Sequence, residues 1–270
     1  MCVWGQAVAE RGEAPVKPFL PLELLRSGAS ELGIELTQTQ LEQFESFAEL
    51  LVETNREFNL TRITEPREIV TNHYLDSLTC LQAVEIERGS RLIDIGTGAG
   101  FPGIPIKIAR PDLNLALLES SRKKAGFVSS AIAELGLEGV EVVCTRAEDA
   151  GRETGLREKY DVAVTRALSE MKVLAELCLP LVRVGGCLVA QKSTDVSGQG
   201  CPETTGGELD EARAIIGQLG GSLEKAVGVT IPHTDVARRL VVVRKVRPTP
   251  ERFPRAYARI SKGKAQHREQ

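Results

Sequence analysis

Between Leu92 and Gly103 the chain reads Leu-Ile-Asp-Ile-Gly-Thr-Gly-Ala-Gly-Phe-Pro-Gly, and few folds accommodate such a stretch. Leu92, Ile93 and Ile95 suit a short buried strand, and glycines then stand at alternate positions 96, 98 and 100. Glycine turns where a side chain would clash, and it lets a ligand approach the backbone closely. Pro102 and Pro105 follow where a helix would begin, and proline suits a first helical turn because its missing N–H is unpaired there. Strand, glycine turn and helix start together aim backbone N–H groups at an anionic or polar ligand. The stretch therefore predicts an α/β sheet with a nucleotide-type pocket at its carboxyl edge.

Spacing separates the cofactor classes. A dinucleotide fingerprint needs its third glycine at position 101, where Phe101 stands, and a P-loop needs Gly-Lys-Ser/Thr, which is absent. Gly-x-Gly-x-Gly after the strand-end acid Asp94 instead resembles the first motif of S-adenosylmethionine methyltransferases. A second strand, 114–119, ends in Glu119, 21 residues after Gly98. An acid about 20 residues beyond the glycines can meet ribose hydroxyls, and one carboxylate can accept from both of them.

The rest of the chain sorts into two textures. Residues 1–18, rich in glycine, proline and charge, are predicted to be disordered. Residues 19–85 are predicted to be helical. Thr37-Gln38-Thr39-Gln40 forms a capping box, Leu41, Phe44, Ala48 and Leu51 follow at helical spacing, and a further helix starts near Pro66 and runs through Leu81. From Ser90 onward strands are predicted at 91–95, 114–119, 140–144, 160–164, 186–190, 226–231 and 239–246. Helices are predicted at 103–110, 121–135, 169–182 and 208–219, and residues 193–207 read as a polar loop. Such alternation argues a mostly parallel sheet wrapped by helices, here spanning 86–247.

Composition limits the partners. Six cysteines are scattered without a Cys-x-x-Cys pair and three histidines stand apart, so no metal site is expected and a reducing compartment fits. No apolar stretch reaches 18 residues, so neither a signal peptide nor a membrane span is expected and the chain reads as cytoplasmic. The net charge of −3 hides an asymmetry: residues 238–270 carry eleven Lys/Arg against Glu251 and Glu269. A basic end on an acidic body suits a localised polyanion contact. Residues 248–270 are therefore expected to form a basic tail whose arginines and lysines track phosphates around Phe253 and Tyr257. Cofactor binding is expected not to depend on them.

Several longer stretches resemble the RsmG (GidB) family of bacterial ribosomal RNA methyltransferases. They are residues 55–64 (Asn-Arg-Glu-Phe-Asn-Leu-Thr-Arg-Ile-Thr), His73-Tyr74-Leu75-Asp76-Ser77-Leu78, and Gly100-Phe101-Pro102-Gly103-Ile104-Pro105. The likeness continues through Leu118-Glu119-Ser120, Lys123-Lys124, Arg146-Ala147-Glu148, Thr165-Arg166-Ala167 and Phe253-Pro254-Arg255, covering about residues 37–255. It implies a class I, Rossmann-like fold: a seven-stranded, mostly parallel sheet with an N-terminal helical extension. It also implies methyl transfer from S-adenosyl-L-methionine to N7 of a guanine in 16S ribosomal RNA, free or in the small subunit, by a chain expected to act as a monomer.

The family's cofactor positions fall on Gly96, Phe101, Glu119, Ser120, Ser121, Ala147, Glu148 and Arg166, to which the glycine turn adds Asp94 and Gly98. Arg146, Lys192, Arg252, Arg255 and Lys262 are the expected RNA contacts. The chain departs from the family at Ser193, where glycine is usual, and from Ala256 onward, where the usual Pro-Leu finish is missing.

The residues read alone support these roles in part. The Ala147 N–H can donate to an adenine ring nitrogen and Glu148 can accept from its amine. Arg166, expected just past the fourth strand, faces the cofactor, the target base or a phosphate. For Asn55, Asn59, His73 and Asp76, capping or buried hydrogen bonding is expected, and His73 has no partner spacing for a metal or triad. No Asn/Asp-Pro-Pro-aromatic motif follows the fourth strand; Thr165-Arg166-Ala167 stands there. A guanine N7 already offers a lone pair, so its methylation needs alignment of reactants and no obligatory general base. Two alternatives remain at this point: an RNA-binding assembly factor that has lost turnover, and a small-molecule methyltransferase. Binding of S-adenosylmethionine discriminates the first, and the basic C-terminus disfavours the second.

Overall fold

The computed structural model describes residues 18–166, 169–193 and 207–261. Helix α1 (Leu22–Glu31) and α2 (Gln38–Asn55) open the chain. The capping box is formed on both sides: Gln40 N–H donates to Thr37 Oγ1 at 3.3 Å and Thr37 N–H to Gln40 Oε1 at 2.8 Å. The helix predicted from Pro66 is present but not uniform. It begins as α3 (Pro66–Glu68), widens into i→i+5 turns over Ile69–Leu75, resumes as α4 (Asp76–Leu78) and tightens over Thr79–Gln82. Wide turns of this kind are uncommon and cluster at functional sites.

The α/β body contains β1 (Arg91–Ile95), α5 (Gly103–Ala109), β2 (Asn114–Leu118), α6 (Arg122–Glu134), β3 (Val140–Val143) and α7 (Ala147–Ala150). It continues with β4 (Tyr160–Arg166), α8 (Met171–Cys178), β5 (Val182–Ser193), α9 (Gly207–Gln218), β6 (Gly221–Thr230), β7 (Ala237–Lys245) and α10 (Tyr257–Ser261). Seven strands lie in the order β3-β2-β1-β4-β5-β7-β6. The first five run parallel, and β7 is antiparallel to both β5 and β6.

Strand alternation assigns each sheet face its own core. Leu92, Leu115, Leu117, Val164, Val189 and Val242 pack with the N-terminal helices and α5. Ile93, Ile95, Leu118, Ala163, Leu188 and Val243 pack with α8, α9 and the segment after β7. The N-terminal helices are thus part of one core with the sheet, joined through Phe44, Phe47, Tyr74 and Phe101, whose rings contact one another.

Several boundaries differ from the sequence reading. β5 starts at Val182 rather than 186, because Gly185 and Gly186 lie inside the strand, and α8 correspondingly ends at Cys178 rather than 182. β6 starts at Gly221, five residues earlier than its apolar pattern begins. β4 runs through Arg166, which pairs in register with Gln191 of β5 and so lies within the strand. The segment after residue 247 is not a separate tail among the described residues: Phe253 and Ile260 are buried in the second core cluster.

Candidate active site

The carboxyl ends of β1 and β4, where the connections leave in opposite directions, open a crevice of the kind in which open α/β sheets bind ligands. The glycine turn forms its centre. Gly96 and Thr97 N–H both donate to Leu118 O, which ties the turn to the end of β2. Gly98 has φ +62°, and a Cβ built there meets nothing nearer than Gly96 O at 4.0 Å, so the backbone faces open space. Gly103 serves packing instead: a Cβ there would come 2.3 Å from Leu117 Cδ2.

Two carboxylates hold this turn from opposite sides. Asp94 lies beneath it, fully buried, and its Oδ2 accepts from Thr97 Oγ1 at 2.6 Å and from Gly103 N–H at 2.9 Å. Burial pushes its carboxyl up to about 6, against the opposing pull of those hydrogen bonds. Asp94 therefore shapes the turn and has no surface for a ligand, which corrects its expected place among the cofactor contacts. Glu119 sits at the rim: Oε2 accepts from Gly98 N–H at 3.0 Å, and Oε1 accepts from Ser121 N–H at 2.7 Å. Ser120 Oγ lies 3.5 Å from the same Oε1.

One cleft opens beside this rim. It is lined by Gly96, Ser120, Arg146, Ala147 and Glu148, over an apolar floor of Ile95, Leu118, Val173 and Leu177. Arg146 Nε donates to Glu148 Oε1 at 2.7 Å, so the basic residue expected at RNA is engaged at this cleft. Tyr257, from α10, completes the lining. The sequence reading placed Tyr257 in the RNA-facing basic segment and not at this cleft, since no spacing signal links positions 96 and 257.

A second pocket, about 440 Å³, lies on the other side, between the helical extension and the ends of β4, β5 and β7. Asp76 is its hub. Its carboxylate accepts from Arg166 Nη1 at 3.1 Å, Arg238 Nε at 2.9 Å and Gln191 Nε2 at 3.0 Å. Gln191 is buried, and its Oε1 has no hydrogen-bond partner. His73 stacks on Phe101 with ring centroids 4.2 Å apart, and Thr61 Oγ1 lies 2.9 Å from its Nε2. Burial first, and then the neighbouring Arg166 charge, push the His73 imidazole down to about 3. It is neutral at physiological pH and a weak base.

Arg166 lines this second pocket and not the first cleft, and the buried Phe101 ring packs behind it. The Phe101 ring packs among Phe47, Tyr74 and His73 with Arg166 over it, so only its backbone is available to a ligand at the glycine turn. Asn55 makes the expected hydrogen bonds, its Oδ1 accepting from Leu60 and Thr61 N–H in the loop after α2.

The expected RNA contacts fare differently. Lys192 Nζ donates to Ser169 O at 2.7 Å and Glu208 Oε1 at 2.9 Å, which leaves it spent inside the protein. Arg255 forks onto the buried Glu176 through Nε at 2.8 Å and Nη2 at 2.6 Å, so it clamps this segment to α8 while 43% of its side chain stays exposed. Arg252 is exposed, with its guanidinium over the Phe253 ring. Lys262 lies outside the described residues. Among the described residues no cluster of three His, Cys, Asp or Glu is arranged to hold a metal, and no helix is long and apolar enough to cross a membrane.

Comparison with known proteins agrees with this geometry. Residues 40–200 match the family model described as GidB, rRNA small subunit methyltransferase G. The ribosomal RNA small subunit methyltransferase G of Pelotomaculum thermopropionicum is 47% identical over 233 residues, covering 86% of this chain and 94% of that one. The protein of the same name from Lachnoclostridium phytofermentans is 44% identical over 229 residues, covering 85% and 91%. In fold, the chain resembles the crystal structure of MtNAS in complex with MTA and tNA, with TM-score 0.51 and 19% identity over 84% of this chain and 76% of that one. The chain belongs to the rRNA small subunit methyltransferase G (GidB) family, enzymes that use S-adenosylmethionine to methylate N7 of a guanine in 16S ribosomal RNA.

Proposed function

We propose that the two pockets divide the family's reaction between them: the first cleft holds S-adenosylmethionine and the Asp76 pocket receives the target guanine. The residues of the first cleft fit the cofactor. Glu119 keeps acceptor capacity toward two ribose hydroxyls while its N–H partners fix its position. Ser120 and Ser121 extend this rim, the Ala147 N–H and Glu148 suit the two edges of an adenine, and Gly96 and Gly98 leave room for the rest. The apolar floor suits a flat ring. When bound, the cofactor supplies a methyl group on a positively charged sulfur, which a neutral nitrogen lone pair can accept without first losing a proton.

The chain's own part is then orientation. Arg166 and Arg238, which line this pocket, offer donors to a guanine O6. Phe101 joins the two halves, since its backbone is in the glycine turn and its ring packs on His73 and Arg166. Alignment of this kind is worth roughly 7–11 kcal/mol of the barrier, and His73, neutral and stacked, takes no proton. Of the expected RNA contacts, the exposed Arg252 is the described one left for a phosphate. The protein is proposed to work as a monomer in the cytoplasm, where the small subunit is found.

The observation that carries the reading is Glu119 at the end of β2, bonded to the N–H of Gly98 beside an open cleft. The test is N7-methylguanosine mapping in 16S ribosomal RNA from cells with and without the protein. One modified guanine should vanish without it, and an unchanged map would contradict the reading.

A further inference from the structure

The segment after β7 does more than end the chain. Arg255 forks onto Glu176, Arg152 Nη2 donates to Pro254 O at 2.6 Å, and Arg157 Nη1 donates to Phe253 O at 2.9 Å. Phe253 and Ile260 are buried on either side of Tyr257. This backbone is therefore fixed, yet Tyr257 is 39% exposed and lines the first cleft. The Arg146 guanidinium lies 5.4 Å from the ring centroid, and the same Arg146 holds Glu148. An anchored aromatic side chain left partly bare beside an apolar floor is suited to contact a flat heteroaromatic ring. Tyr257 also lies in the stretch, from Ala256 onward, where this sequence leaves its family's pattern.

We propose that α10 supplies the outer wall of the cofactor cleft, and that Tyr257 with Arg146 closes over the adenine end of the bound cofactor. This rests on the cofactor reading of the first cleft. Tyr257 acts as a positioning residue: it sets how tightly the adenosyl group is held and ties cofactor affinity to the chain's C-terminal segment. The expectation that residues beyond 247 leave cofactor binding untouched is thereby reversed.

The experiment is calorimetric titration of S-adenosylmethionine and S-adenosylhomocysteine into wild type, Tyr257→Ala, Tyr257→Phe and, as a reference, Glu119→Ala, with melting temperatures beside each. Stacking of a base on an aromatic ring predicts a dissociation constant about tenfold weaker for Tyr257→Ala, for both ligands. Tyr257→Phe should stay within about twofold of wild type, because the ring face and not the hydroxyl makes the contact. In steady-state methylation the KM for cofactor should rise in Tyr257→Ala while the KM for RNA holds. Wild-type affinity in Tyr257→Ala beside weakened Glu119→Ala would overturn the Tyr257 assignment alone. Wild-type affinity in both would overturn the cofactor site as well. A raised KM for RNA with unchanged cofactor affinity would assign the ring to RNA and overturn the proposal.

Discussion

The two pockets flanking the glycine turn are built on opposite principles. The first cleft draws most of its lining from strand ends and the short turns after them: Gly96, Ser120 and Ala147 each follow a strand within a few residues. Its charges are few, and its floor is apolar. The second pocket draws Asp76 from a helix, Arg166 and Gln191 from adjacent strands and Arg238 from an antiparallel one. It concentrates one buried carboxylate and two arginines in a small space. A carboxylate so enclosed is costly unless every partner is in place, so the second pocket depends on the whole fold being assembled. The first depends chiefly on local backbone geometry. A cofactor common to many enzymes suits the local design, while a particular RNA base suits an assembly that rejects small displacements.

Removing the hub of the second pocket should have the largest effect. Asp76→Ala leaves Arg166 and Arg238, each with under a fifth of its side chain exposed, without their carboxylate. Breaking a buried pair in this way costs about 3–5 kcal/mol. Glu148→Gln in the cleft breaks only a pair with the half-exposed Arg146 and should cost about 1 kcal/mol or less. Urea unfolding of both variants checks this, and equal losses would erase the contrast between the pockets.

Acid should affect the second pocket next. His73, pushed down to about 3, takes no proton in the folded protein, whereas the unfolded chain binds one around pH 6.5. The stability it contributes is thus complete above pH 6.5 and is lost as the pH falls toward 3. Asp94 runs the other way, since its raised value favours the folded state on the acid side and that advantage is lost as pH rises through about 6. Comparing wild type with His73→Gln isolates the histidine. Between pH 7.5 and 5 the wild type should lose about 2 kcal/mol more than the variant. Parallel profiles would mean that His73 titrates normally.

The smallest effect concerns the exposed cation near the chain end. Arg252→Ala should flatten the slope of log RNA affinity against log salt by about 0.7 for a contact to single-stranded RNA. Arg255→Ala would not report on RNA, because it strands the buried Glu176. An unchanged slope for Arg252→Ala would move the RNA face elsewhere.

The rim beside the first cleft was legible in the sequence, because Gly96, Gly98 and Glu119 owe their placement to glycine conformations and strand ends that local patterns announce. The Thr37–Gln40 capping box was legible for the same reason. The second pocket was only half so. Asp76 and Arg166 stood out as residues, yet their meeting with Arg238 joins positions 162 residues apart, and no periodicity encodes that. The pairing of Arg255 with the buried Glu176 and of Lys192 with Glu208 was not legible, because a count of charges does not say which carboxylate each cation meets. The early start of β6 was hidden by its mostly exposed residues, which carry no apolar alternation.

The most direct test of the division of labour crosses the two pockets. S-adenosylmethionine affinity is measured by calorimetry, and methyl transfer to small subunits by radiolabel, for Glu119→Ala and Arg238→Gln, once both are shown to be folded. Loss of hydrogen bonds to a charged group, about 1.5–3 kcal/mol, predicts cofactor affinity weaker by roughly tenfold to a hundredfold in Glu119→Ala. Arg238→Gln should bind the cofactor like wild type while methyl transfer at saturating cofactor falls. Equal loss of cofactor affinity in the two variants, or wild-type affinity in Glu119→Ala, would contradict the assignment of cofactor to one pocket and guanine to the other.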